Sequence, residues 1–157
     1  MIRVSLTSTE IDICRYIGEM RFNITSKQGT ERKQDQRQSS LDMSINGVFT
    51  EYAVAKALNL NFDLNCNFRK FGADLVSHKG KTIDVKSTNT ENGNLNAVIW
   101  SNDKVADIFI LTEIHVTHIR IIGWIEREKF LQPENIIVGK NGEYYSVSPY
   151  ELNKFNE

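Results

Sequence analysis

The fold turns on residues 72–88, "GADLVSHKGKTIDVKST". Two short runs with alternating apolar residues, Gly72–His78 and Lys81–Thr88, flank Lys79-Gly80 in the pattern of a β-hairpin. Side chains of a strand alternate between its faces, so Ile83 and Val85 share one face and Asp84 and Lys86 the other. Taken alone, an Asp-x-Lys on one face is a solvated ion pair worth less than about 1 kcal/mol. Asp74 changes that reading. It lies ten positions before Asp84, and a loop with an odd number of residues puts the two on one face. A three-residue loop at Lys79-Gly80-Lys81 sets Asp74 opposite Lys86 and near Asp84. Two carboxylates this close repel unless one is protonated or a cation intervenes. All-oxygen donors suit a hard cation, foremost Mg²⁺.

The segment upstream supplies a third carboxylate. Residues 41–59, "LDMSINGVFTEYAVAKALN", read as a helix in which Gly47, Val48, Val54 and Ala55 neighbour Glu51 at three- and four-residue spacing. Glu51 therefore rises from the stripe that faces the core. An isolated charge there is costly unless it is paired or bound to a metal. Two plainer arrangements stay open: a helix rotated so that Glu51 reaches the rim, or an ion pair with a core Arg or Lys.

Around these elements the chain reads as one domain of 157 residues, 40% hydrophobic and 25% charged, the composition of a soluble globular protein. A formal charge of -1 provides no overall attraction to nucleic acid, so such binding needs a local basic patch or bound cations. Cys14 and Cys66 form no metal or disulfide pattern. No signal core or membrane-length apolar run is present, and an intracellular, cytoplasmic location is the simplest expectation. Residues 8–24 read as a first helix. The polar connector that follows, Thr25–Ser40, carries Lys27, Arg32, Lys33 and Arg37, and reads as solvated. "NLNAVIW", "ADIFILTEIHV" and "IRIIGWIE" read as strands, with a short helix at 126–131. A hairpin around Asn141-Gly142 follows, then a short helix near Ser148-Pro149. Boundaries fall at 1–40 (helix and connector), about 41–131 (core) and 132–157 (C-terminal hairpin and helix). The expected class is α+β, or an α/β/α sandwich: a central mixed sheet with an antiparallel hairpin, flanked by helices.

Asp74, nine residues, then Asp84-Val85-Lys86, preceded by Gly47-x-x-x-Glu51 on a helix, resembles the PD-(D/E)XK nuclease superfamily. The resemblance covers roughly residues 41–130, and the later strands resemble those of small phage-type members. The spacing is also similar to that of phage junction-resolving endonucleases. Ala73 stands where the motif has its nominal proline, which supplies no ligand. The resemblance implies a restriction-endonuclease-like core and Mg²⁺-dependent hydrolysis of DNA phosphodiester bonds, with Mn²⁺ able to substitute. It implies Asp74, Asp84 and the Val85 carbonyl as metal ligands, with Lys86 at the attacking water or a phosphate oxygen. Glu51 would ligate a second metal or orient a metal-bound water.

Arg69, Lys70, Ser87, Thr88 and Lys104 are weaker candidates for DNA contact. His115 and His118, three apart on a strand, are expected on opposite faces, and Trp100, Phe109 and Trp124 in the core or an interface. A homodimer is the expected assembly, since cutting two strands takes two active sites and this chain supplies one. The competing reading is a non-catalytic nucleic-acid-binding or assembly module that retains the fold. A plain structural domain with coincidental Asp and Lys is the third.

Overall fold

Two capped helices form one layer of the protein, and the caps are written in the sequence. In the computed structural model, which describes residues 1–27, 39–67 and 72–155, α1 spans Ser8–Lys27 and α2 spans Ser40–Leu58. Thr7 and Glu10 close a reciprocal capping box at the start of α1. The Thr7 N–H donates to Glu10 Oε2 at 2.7 Å and the Glu10 N–H donates to Thr7 Oγ1 at 3.2 Å. Ser39 caps α2 by accepting from the Asp42 N–H, and Asn59 ends it in the left-handed region. The helices touch closely at Gly18, where a Cβ would lie 2.6 Å from Ile45 Cα. Cys14 and Ile17 of α1 pack there against Val48 of α2.

Helix α2, with α1 packed against it, covers one face of a five-stranded mixed sheet made of β1 (Ile2–Val4), β2 (Leu75–Val76), β3 (Thr82–Thr88), β5 (Ile108–Ile114) and β6 (Ile119–Glu126), in the order β1-β6-β5-β3-β2. Its single parallel pair is β3 with β5, and the other neighbours are antiparallel. Ala53, Val54 and Ala55 of α2 bury this face with Leu75, Ile83, Ile110 and Ile121.

The opposite face is covered mainly by a second sheet, with only one short helix beside it, which corrects the sandwich expected with helical layers on both sides. β4 (Leu95–Val98) and β7 (Ile136–Gly139) flank β8 (Gly142–Val147) in an antiparallel sheet. Leu95, Ala97, Tyr145 and Val147 bury Phe109, Leu111 and Ile125 together with Phe130 of the short helix α3 (Arg127–Phe130). The class is therefore α+β, with a mixed sheet and three α-helices among the described residues. The parallel connection from β3 to β5 runs through β4 and a 3-10 turn at Ile99–Asp103. No helix among the described residues is long and apolar enough to cross a membrane.

Three sequence expectations need correction. Residues 148–155 form turns and an isolated bridge between Trp124 and Asn153, with no helix. The hairpin turn lies at 78–80, one residue earlier than expected: the Ser77 N–H donates to the Lys81 carbonyl at 2.8 Å, and Gly80 takes φ +75. The loop keeps three residues, so parity holds, but Leu75 now pairs with Ile83. That shift moves Asp74 from Lys86 to the Asp84–Val85 stretch. Finally, His115 and His118 share one side. β5 ends at Ile114, the His115 N–H donates to the His118 carbonyl at 2.9 Å, and the two rings stack with centroids 4.7 Å apart.

Candidate active site

The site forms where β2 stops pairing with β3. Alternate residues of β3 turn their backbone N–H and C=O toward the β2 side. Ile83 accepts the Asp74 N–H there at 2.9 Å, and the Val85 N–H donates to Asp74 Oδ2 at 2.7 Å. Asp74 thus takes the place of a strand partner with its own carboxylate, and the Val85 carbonyl lies on that same edge. Asp84 and Lys86 project from one face of β3, in register with Phe109 and Leu111 of β5.

Asp84 is fully buried, and both its oxygens meet a cation. Lys104, following the 3-10 turn, donates a hydrogen bond to Oδ1 at 2.7 Å. The Lys86 ammonium stands 2.5 Å from Oδ2, yet Oδ2 receives no aligned hydrogen bond. Glu51 is met by Arg21 of α1, with Nη1 2.6 Å from Oε2 and the second guanidinium nitrogen 3.3 Å from the Asp63 carbonyl. This is the ion-pair arrangement left open above for a glutamate on an apolar stripe. Three carboxylates and three cations thereby form one electrostatic network.

The carboxylates are not equivalent. Burial raises Asp74 well above the usual aspartate range, the charges of Glu51 and Asp84 add to this, and Lys104 and Lys86 offset only part. Burial also acts to raise Asp84, but Lys86 and Lys104 overturn it and hold that carboxyl below its usual range. Burial leaves Glu51 raised despite Arg21, with Asp84 adding to the rise. Asp84 is therefore the firmly ionised member, and Asp74 keeps a proton to higher pH.

Among the described residues, no three His, Cys, Asp or Glu side chains are grouped so as to hold a metal ion. The donor set still fits Mg²⁺ in kind, because that ion takes one or two carboxylates and completes its shell with water and substrate phosphates. Asp74 and Asp84 would supply the two carboxylates, and the Val85 carbonyl a third oxygen.

Of the weaker candidates, Lys104 belongs to the centre of the site. Ser87 is exposed, while Thr88 turns back to accept the Thr90 N–H at 3.1 Å. Arg69 and Lys70 lie outside the described residues, as do Arg32, Lys33 and Arg37 of the connector. Phe109 sits in the core beneath the second sheet, and Trp124 packs against the separate core on the face covered by α2. Trp100 is half-buried, with the Lys104 ammonium 5.9 Å from its ring centre.

Arg21 escaped the sequence reading, although a signal existed: it continues the Cys14, Ile17 and Gly18 stripe of α1. Glu113 also escaped it. This buried carboxylate accepts the Asn92 N–H at 2.8 Å and pairs with Arg120 at 3.0 Å, which fixes the turn after β3.

Residues 2–119 match a family of unknown function (DUF5843), and the chain belongs to that family. No curated protein matches the chain.

Proposed function

We propose that the chain is a metal-dependent nuclease of the PD-(D/E)XK type, hydrolysing DNA phosphodiester bonds on a restriction-endonuclease-like core. The observation that carries this reading is the gathering of Asp74 with Asp84-x-Lys86 in one cluster around buried Asp84, at the point where β2 leaves β3. Asp84 is buried and Asp74 and Glu51 are half-buried; carboxylates grouped away from water oppose folding, so a structural role alone gives little reason for three of them. The elements also agree with the resemblance: a helix bearing Glu51, an antiparallel hairpin bearing the other three residues, and a parallel neighbour strand.

In this reading Asp74, Asp84 and the Val85 carbonyl hold Mg²⁺, which when bound supplies an activated water and neutralises charge at the scissile phosphate. Asp84 offers a carboxylate that stays ionised at neutral pH. Asp74 would hold the ion as its carboxylate, with its proton released to solvent. Lys86 stabilises negative charge developing on a phosphate oxygen. Glu51, engaged by Arg21 through Oε2, would orient a metal-bound water or ligate a second ion. Ser87, on the exposed end of β3, is available to the DNA backbone. Double-strand cutting by this chain calls for a homodimer, and an intracellular location goes with a DNA substrate.

The test is a panel of linear, nicked, four-way and single-stranded DNA incubated with the full chain and Mg²⁺ or Mn²⁺. Cleavage of at least one form, lost with chelator and in Asp84→Asn, supports the nuclease. Salt-sensitive retention of DNA without product identifies a binding or assembly module instead. Neither retention nor product removes both readings.

A further inference from the structure

We propose that the two lysines on Asp84 have separate tasks: Lys104 is its fixed counter-ion, Arg127 is the positioning residue that holds Lys104, and Lys86 is the lysine that leaves Asp84 for an arriving phosphate. Only the last role rests on the nuclease reading. The difference between the lysines is a property of the free protein.

Geometry separates them. Lys104 makes an aligned hydrogen bond to Oδ1, and its side chain is 11% exposed. Lys86 is held to Oδ2 by charge without that alignment, and is 24% exposed. An ammonium in good geometry and out of water keeps its partner, because leaving strands a buried charge. One nearer the solvent and without directional bonding can leave Asp84 for another anion once a second cation takes its place at the buried Oδ2.

The main chain around Lys104 is fixed as well. Its N–H donates to the carbonyl of buried Ser101 at 3.2 Å. Its carbonyl accepts from Arg127 Nη1 at 2.7 Å, and the same guanidinium reaches the Ala106 carbonyl at 3.4 Å and that of Asn102. One rigid fork therefore grips three carbonyls spaced two residues apart, a task that lysine cannot copy. Arg127 is itself anchored, since its N–H donates to the Asp107 carbonyl at 2.9 Å. Asp107 in turn accepts the Thr82 N–H at 2.9 Å, at the first residue of β3. The strand bearing Asp84 and the loop bearing Lys104 are thus tied to the same point.

The test uses the full chain with ¹⁵N-labelled lysine and reads the side-chain ammonium signals, assigned with Lys104→Arg and Lys86→Arg. In the free protein the Lys104 signal should be protected from exchange and the Lys86 signal broadened. Adding Mg²⁺, inorganic phosphate or a short oligonucleotide should move Lys86 and leave Lys104 in place. Arg127→Lys, with cooperative unfolding retained, should abolish protection of Lys104 alone. Equal responses of the two lysines, movement of Lys104 only, or protection of Lys104 surviving Arg127→Lys would each overturn the assignment. Where a DNA form is cleaved, Lys104→Met should lower kcat by up to about a hundredfold with KM little changed, the cost of a misplaced reacting group, and Lys104→Arg should restore most of it. If no form is cleaved, the nuclease reading fails, and the division between the lysines is still decided by the spectra.

Discussion

Replacing Arg21 with methionine removes the cation from Glu51 while keeping most of the side-chain volume. The two side chains are 21% and 14% exposed and their charged atoms lie 2.6 Å apart, so solvent screens the pair only in part. Charges about 4 Å apart at an effective dielectric constant near 20 attract by roughly 4 kcal/mol. Stranding one partner of a buried pair costs about 3–5 kcal/mol. The hydrogen bond from Arg21 to the Asp63 carbonyl is lost as well, worth about 1 kcal/mol. Protonation of Glu51 acts in the other direction and limits the loss. The expected cost for Arg21→Met at pH 8 is therefore about 3 kcal/mol, a fall in Tm of roughly 6–12 °C for a chain of this length.

The pH dependence has a definite sign. Burial already holds Glu51 above its usual range of about 4.5, and loss of Arg21 lifts it further. A carboxyl with a raised folded pKa binds more protons in the folded state, so stability falls as pH rises through that window. Arg21→Met should thus be closest to wild type near pH 5 and furthest from it near pH 8. Adding Glu51→Gln to Arg21→Met should recover about 2 kcal/mol, and comparing this with the effect of Glu51→Gln in the wild type gives the coupling of the pair. Urea unfolding at several pH values measures all three quantities. A cost under about 0.5 kcal/mol, with no pH trend and strict additivity in the double variant, would refute the ion-pair reasoning.

Asp74→Asn should stabilise the fold at pH 8, by on the order of 1 kcal/mol or more, because it removes a carboxyl that burial and two like charges hold well above its usual range. The amide oxygen can still accept the Val85 N–H. Since the folded pKa is raised, the gain should vanish as pH falls below about 3.8 and grow as pH rises, while metal-dependent cleavage is lost; thermal unfolding across pH reads the first and a DNA assay the second. Gly18→Ala should destabilise by about 1–3 kcal/mol despite the better helix propensity of alanine. Its Cβ meets Ile45 Cα at 2.6 Å, a backbone atom that no rotamer change can move. Denaturant unfolding that finds this variant neutral or stabilised would contradict the close helix contact.

What the sequence disclosed was local. The two helices, the β2–β3 hairpin and strands β5 and β6 follow from periodicity and turn chemistry, each complete within a few residues. The covering of the second sheet face was not legible, since β4 pairs Leu95 with Val147 across about a third of the chain and no local pattern encodes that choice. The hairpin register was missed by two residues because Gly80 fits a turn at 78–80 as well as one at 79–81. Strand β1 was overlooked, being three residues long and dependent on β6 for its pairing.

The site divides the same way. Asp74, Asp84 and Lys86 could be read from hairpin parity, and Glu51 from helical spacing. Their cations could be assigned only by tertiary structure: Arg21 reaches Glu51 from another helix, and Lys104 reaches Asp84 from a loop shaped by Arg127. Lys104 alone in sequence is one lysine beside an apolar strand.

The central claim is that Asp74, Asp84 and Lys86 form a phosphodiester-cleaving centre. Its most direct measurement is the rate of Mg²⁺-dependent DNA cleavage by the wild type, Asp84→Asn and Lys86→Ala, each first shown to unfold cooperatively. The account predicts a metal-dependent rate in the wild type and a fall of at least about a hundredfold in both variants, with DNA binding retained. A wild-type rate that survives unchanged in both folded variants, or no metal-dependent cleavage of any DNA form, would contradict it.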